Sequence, residues 1–357
     1  MSAQEATSAI EPDAGTLTAG GHSTCSSAQQ WLHAVRNEGR TPGSLDAATL
    51  RGAQLIGEDL SGLDLSGYDL SGADLSRANL VHTRLMGANL RGTVLFEANL
   101  TDSVLLSADL TGANLSACIA DHAGFESANL KDATLFSASL KAATFIKATL
   151  QGTDLRATDL QHARLRDADL RNADFSRSNL QHAELQGSSV DSATFVDADL
   201  RHSRLRGLRG YTAANWIGAD VHGINFTGAY LTRRTIMDQN YLHEFRIQSK
   251  TNRFIYWLWW ATSDCGRSFL RWGAWIIILV MLFALLFTFV AVDYGDSPTI
   301  ISSIYYSVVT LTTLGYGDVV PVSMMAQVLA MIEVVFGYVM LGGLLSIFAN
   351  KMARRAD

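Results

Sequence analysis

Residues 70–80 read LSGADLSRANL. Leucine returns at 70, 75 and 80; Ala73 and Ala78 stand two positions before the later leucines, and Asp74 and Asn79 lie between. Working outward, the beat runs from Leu50 to Leu205. Leu, Phe or Val fills 31 of 32 slots, and the exception is Ala120. A period of five would smear the leucines around a helix and alternate them across a flat strand. Self-similarity at a fixed period marks a solenoid.

Segments such as LSGADLSRANL and LRGTVLFEANL resemble the pentapeptide-repeat family over about half the chain. The resemblance implies a right-handed quadrilateral β-helix with four pentads per coil. It also implies that the slot residue and the small residue two before it both point inward, which makes Cys118 core. After Leu205 the register slips by one, and Trp216, Val221, Phe226 and Leu231 resume it. That makes 32 + 4 = 36 slots, about nine coils and roughly 43 Å of stacked layers. Residues 26–48, with Trp31, Leu32 and Val35 at helical spacing, suit a helix capping the first coil. Asp64, Asp69, Asp74 and Asp109 are expected outward at corners, making local turns rather than catalysing anything. His162, His182 and His202 recur every twenty residues and would stack on one face: a surface ladder, or a pH-sensitive or metal-binding stripe.

Composition sets limits. The net charge is −6, which argues against a basic nucleic-acid binder. Residues 50–231 hold 16 Lys/Arg and 21 Asp/Glu, a weak acidic balance for a mimic of duplex DNA, as some pentapeptide-repeat proteins are. Three scattered cysteines, Cys25, Cys118 and Cys265, give neither a disulfide framework nor a metal spacing. The first 25 residues are small and polar, without a signal-peptide pattern, and are expected to be disordered.

The last third reads differently. Residues 272–292, WGAWIIILVMLFALLFTFVAV, carry no charge across 21 positions, and residues 324–348 give a second span whose one charge is Glu333. Arg246, Lys250, Arg253, Arg267 and Arg271 precede the first span, and Lys351, Arg354 and Arg355 follow the second. The segment between has Asp293, Asp296 and Asp318 and no Lys or Arg. The positive-inside rule therefore places both termini, and the repeats, in the cytoplasm. RFIYWLWWATSDCGRSFLRW, ahead of the first span, suits an amphipathic helix at the membrane interface.

Between the spans, Ser297 and Pro298 make a helix start, and the half-helix that follows is too short to cross. It leads into TTLGYGD, residues 312–318. Non-helical backbone at membrane depth survives only where protein buries it or it lines a watery path. A dehydrated monovalent cation needs a ring of oxygens, and backbone carbonyls supply one without fixed charge. Aiming successive carbonyls one way needs alternating conformations, which Gly315 and Gly317 tolerate. Thr313 adds a hydroxyl at the inner mouth and Asp318 an acidic outer mouth, while the half-helix points its negative dipole end at the path.

TTLGYGD between two spans closely resembles the filter of two-transmembrane potassium channels. The resemblance implies a tetramer. It makes Thr313, Leu314, Gly315, Tyr316 and Gly317 the selectivity filter, with potassium ions held at Thr313, Leu314, Gly315 and Tyr316. Thr312 and Asp318 support it, and Tyr305 and Tyr306 take the place of the aromatic pair that braces it. Leu314 stands where valine is commoner. Gly337 lies at the distance of a gating hinge, with close packing as the alternative reading; packing is favoured for Gly342 and Gly343. Glu333, inside the membrane, is expected to be a hydrogen-bonded partner behind the filter.

The expected organisation is multidomain. A disordered 1–25 and a lead-in 26–48 precede a β-helix at 49–232. A linker with an interfacial helix follows at 233–271, then transmembrane helices at 272–292 and 323–349. The pore helix (298–311) and filter (312–318) lie between them, and a short tail (350–357) ends the chain. The expected function is passive, potassium-selective conduction by a homotetramer in the plasma or inner membrane, with no cofactor and no enzymatic activity. The repeats would serve assembly, gating or docking of a protein partner; nucleic acid is not an expected partner. The alternatives are a nonselective monovalent cation channel and a membrane-anchored binding scaffold. No voltage-sensor pattern precedes the pore, and with about nine residues after the second span no ligand-binding domain is expected there.

Overall fold

The computed structural model describes residues 50–266, 268–295 and 299–356. The expected N-terminal cap at 26–48 and the Ser297–Pro298 helix start fall outside them. The chain forms two compact units, one ending at Tyr241 and one beginning at Leu242.

The first unit is a four-sided coil. Residue 54 bridges residue 74 in parallel, 59 bridges 79, and every later bridge as far as Ser189 with Arg209 is offset by 20 residues. Each corner is a tight turn: Ala53 N donates to Leu50 O at 3.1 Å, while Leu55 N reaches Asp74 O on the next coil at 2.7 Å. The second corner residue sits in the left-handed region throughout. Glycine takes that position at Gly52 (φ +64), but Arg77, His82, Ala142 and other non-glycines hold it at φ of 55–60°. Stacking therefore supports many residues in a conformation that costs each about 1 kcal/mol or more.

Slot residues from Leu50 to Trp216 are fully buried, Ala120 included, and so are most residues two positions before them. Burial pushes the Cys118 thiol up to about 12, as befits a core side chain. The large residues Leu63 and Tyr68 occupy the small position near the start and are only half-buried. Column neighbours stack in register: Phe125 on Phe145 at 4.8 Å, Phe175 on Phe195 at 5.0 Å, and Phe195 on Trp216 at 4.3 Å. The recurrent aspartates lie on the bridging positions of the flat sides, not at corners as expected. The local turn survives the change, because Oδ1 of Asp64 and of Asp69 accepts from the N–H two residues on, at 3.1 and 3.0 Å.

The register slip is one extra residue at a single corner: Thr194 bridges Asn215 and Asp199 bridges Asp220, both offset by 21. Stacking then fades. Val221 and Phe226 are half-buried, and Leu231 is not a slot at all, being 53% exposed on a helix. That helix, α1 (Tyr230–Gln248), begins two residues before the expected boundary at 232. It closes the coil with side chains where another coil would offer backbone. Gln239 accepts from Trp216 N at 2.8 Å and donates to Ala214 O at 2.9 Å. Asn240 accepts from Gly218 N at 2.7 Å and donates to Trp216 O at 3.0 Å. Ile236 is buried against the last layer. The open edge from Ala214 to Gly218 is thereby satisfied, and that stretch is blocked from pairing with another strand.

In the second unit, α2 (Lys250–Ser263) starts at the Ser249 hydroxyl and ends at left-handed Asp264. α3 (Phe269–Phe287) and the first 26 residues of α5 (Met324–Ala356) are long and apolar enough to cross a membrane. α3 stops before the expected end at 292, since Val292–Asp293 (β1) pairs antiparallel with Val320–Pro321 (β2). The half-helix α4 (Ser302–Leu311) starts four residues later than expected, with the Ser302 hydroxyl accepting from Thr299 N at 2.8 Å. Phe283, Phe287 and Tyr306 form the small core that joins α3, α4 and α5.

Candidate ion-conduction site

α4 aims its C-terminus at residues 312–318. Its final carbonyls are partly used: Thr312 N donates to Val308 O and Leu314 N to Val309 O, both at 3.0 Å. From there the backbone alternates. Thr313 (φ +58), Gly315 (φ +54) and Gly317 (φ +78) are left-handed, and Leu314 and Tyr316 between them are not. Alternation turns successive carbonyls toward one side of the strand, as a row of oxygen ligands requires. Thr313 is left-handed without being glycine, which sequence reasoning reserved for the two glycines; its hydroxyl donates to Thr312 O at 2.7 Å. Leu314 and Tyr316 are 58% and 67% exposed on the single chain.

The expected supporting residues divide the work. Tyr305 Oη donates to Asp318 Oδ2 at 2.6 Å, tying the half-helix to the outer end of the loop. Tyr306 faces inward and meets Phe287 edge-on at 4.7 Å. Thr312 turns back on α4, its hydroxyl donating to Val308 O at 2.6 Å. Glu333 on α5 is fully buried, with Ser307 of α4 donating to its Oε1. Its Oε2 has no hydrogen-bond partner among the described residues.

Gly337 sits where α5 passes the end of α4. A Cβ there would lie 2.1 Å from Leu311 O, so close packing demands glycine at this point, and α5 runs through it without a break. Gly343 answers to the same need, its missing Cβ making room for Trp272, whose Nε1 donates to Met340 O at 2.9 Å. Gly342, paired with it in the packing expectation, faces open space in the single chain. Sequence reasoning missed Ser307, Leu311 and Trp272. A small hydroxyl on the half-helix was a visible signal for the first, given an intramembrane carboxylate in need of a donor; the other two carried none.

Known proteins supply a comparison. Residues 275–354 match the ion channel family model. Residues 44–80, 53–92 and 69–105 match pentapeptide repeats, and 118–195 and 138–214 match the pentapeptide repeat region. The calcium-gated potassium channel TvoK of Thermoplasma volcanium is 38% identical over 69 residues, 19% of this chain and 20% of that protein. The chain thus spans about a fifth of the length of the curated relative it matches. A trypsin-treated QnrB1, a plasmid-mediated fluoroquinolone resistance protein, aligns over 51% of this chain and 94% of its own, at 20% identity and a TM-score of 0.39. HetL, a pentapeptide repeat protein involved in heterocyst differentiation regulation from Nostoc sp. strain PCC 7120, covers 55% and 92% at 27% identity, with a TM-score of 0.22.

Proposed function

We propose that this chain, in which pentapeptide repeats lead into an ion channel domain, is one quarter of a potassium-selective channel. The observation that carries the reading is the left-handed alternation at Thr313, Gly315 and Gly317, reached from a ten-residue half-helix between two membrane-length helices. Four copies around an axis would present rings of carbonyl oxygens from Thr313, Leu314, Gly315 and Tyr316, replacing the hydration shell of potassium. Gly317 and Asp318 close the outer end. The exposed Leu314 and Tyr316 then find their packing on neighbouring copies. Tyr305 holds Asp318, and Ser307 and Glu333 hold the half-helix against α5. Potassium moves passively down its gradient.

The basic residues before α3, such as Arg246, Lys250, Arg253 and Arg271, support cytoplasmic termini in a plasma or inner membrane. The repeats then lie on the cytoplasmic side, serving assembly, docking or gating. The test is the reversal potential of purified protein in planar bilayers with potassium on one side and sodium on the other. A value near the potassium equilibrium potential supports the reading. Current that reverses near zero makes the pore nonselective and sinks it.

A further inference from the structure

The C-terminal coils carry a lopsided charge. One side runs through the bridging positions Thr144, Arg164, Glu184 and Arg204. The corner before it presents Lys141 and Arg201 beside the stacked rings of His162, His182 and His202, which lie 4.8 and 5.1 Å apart. The corner after it presents Lys147, Arg166 and Arg206, with Asp167. Seven cations thus meet two carboxylates, Glu184 and Asp167, so this side and its corners net 7 − 2 = +5, within a segment that is acidic as a whole.

The pairing sharpens the contrast. On the opposite side, through Asp154 and Asp174, Arg156 is held at 2.7 Å by Asp154 and lies 3.9 Å from Asp174. On the basic side Arg204 meets Glu184 at 2.7 Å, and Arg201 and Lys141 lean away to Asp199 and Asp159 at 2.7 and 3.5 Å. Among the described residues Arg164 donates only to the neutral Thr144 hydroxyl, at 2.8 Å. Lys147, Arg166 and Arg206 form no ion pair among the described residues, and all three are exposed. Arg164 and Arg204 stand two coils apart, about 10 Å at the spacing of β layers, on a surface that successive parallel bridges keep flat.

We propose that this basic side docks on an anionic lipid surface, the cytoplasmic leaflet of the membrane that the same chain spans. The inference rests on the topology given under the proposed function. A flat basic array, with the Arg164, Arg166 and Arg206 guanidinium groups outside any ion pair among the described residues, complements a plane of phosphate headgroups within a Debye length, about 8–10 Å. The tether raises the effective concentration of that plane far above that of any soluble polyanion.

The test is arginine footprinting of the full-length protein with phenylglyoxal, read by mass spectrometry. It is run in vesicles of phosphatidylcholine alone and with phosphatidylglycerol added. Arg164, Arg166 and Arg206 are expected to be protected about threefold or more by phosphatidylglycerol and released at high salt, while Arg77 and Arg171 elsewhere on the solenoid stay unchanged. Equal labelling in both vesicles overturns the proposal. So does protection that appears only when duplex DNA is added, which would assign the surface to nucleic acid. Potassium flux in the phosphatidylcholine vesicles reports on the channel reading separately, since footprint and flux can fail independently.

Discussion

The two units solve burial in opposite ways. The solenoid buries its core within one chain: its slot residues from Leu50 to Trp216 are fully buried, and Gln239 and Asn240 bond to its last coil. The membrane unit leaves much unfinished. Only 11% of each membrane-length window is buried, and Leu314 and Tyr316, between the left-handed residues of the loop, are exposed. The difference teaches where information resides. A period-five core can be read and folded one chain at a time, whereas the ring of carbonyls proposed above would exist only when several chains meet.

The sharpest way to break that contrast is at the filter. A Cβ at Gly315 would meet nothing within 4 Å, so Gly315→Ala acts through the backbone alone, at φ +54. The left-handed conformation costs alanine about 1–2 kcal/mol per chain, repeated in every copy. Potassium flux is expected to fall about tenfold or more, while circular dichroism of the solenoid is unchanged. Near-normal flux would mean that the alternation is not what conducts.

The solenoid should fail differently. Phe195 lies between Phe175 and Trp216, and Phe195→Ala should cost about 3–5 kcal/mol. Thermal melting of the full-length protein would record it as an earlier transition, with ion selectivity unaltered while the protein remains folded. A shifted reversal potential would instead couple the two units. Gly337→Ala drives a methyl into Leu311 O and should cost about 1–3 kcal/mol, read as loss of the assembled species on size-exclusion chromatography. Gly342→Ala, where a Cβ meets nothing within the single chain, is the matched control and should leave the packing of α5 on α4 intact, read as unchanged thermal melting.

The smallest effect belongs to the surface. Hydrogen bonds from Arg156, Arg171 and Arg201 hold the Asp154, Asp169 and Asp199 carboxyls below the usual range. Such groups add stability above the ordinary aspartate pKa of about 3.9, and lose it as pH falls through the lower folded value. The arginines that hold them are exposed, so the solvent-screened contribution is small. Melting should hold steady from neutral pH to about 5 and decline by a few degrees below about 4. A decline that begins near neutral pH would mean that these carboxyls do not set the acid limit.

Much of this was legible in the sequence because it is local and repetitive. The five-residue period implied the twenty-residue coil through the family it resembles, and the histidine stack followed from it. Two apolar runs marked the membrane-length helices, and alternating glycines marked two of the three left-handed positions of the loop between them. Other features depend on which distant surfaces touch. The aspartates had the right chemistry for turns but the wrong place, because only the bridge register says which residue lies mid-side. Leu231 fitted the beat and yet falls on α1, where capping the open edge outweighed one more slot. The carbonyl that makes Gly337 necessary, and the hydroxyl that meets Glu333, lie 26 residues away in the chain. A periodic pattern determines register along the chain; only packing decides which backbone passes close enough to forbid a methyl group.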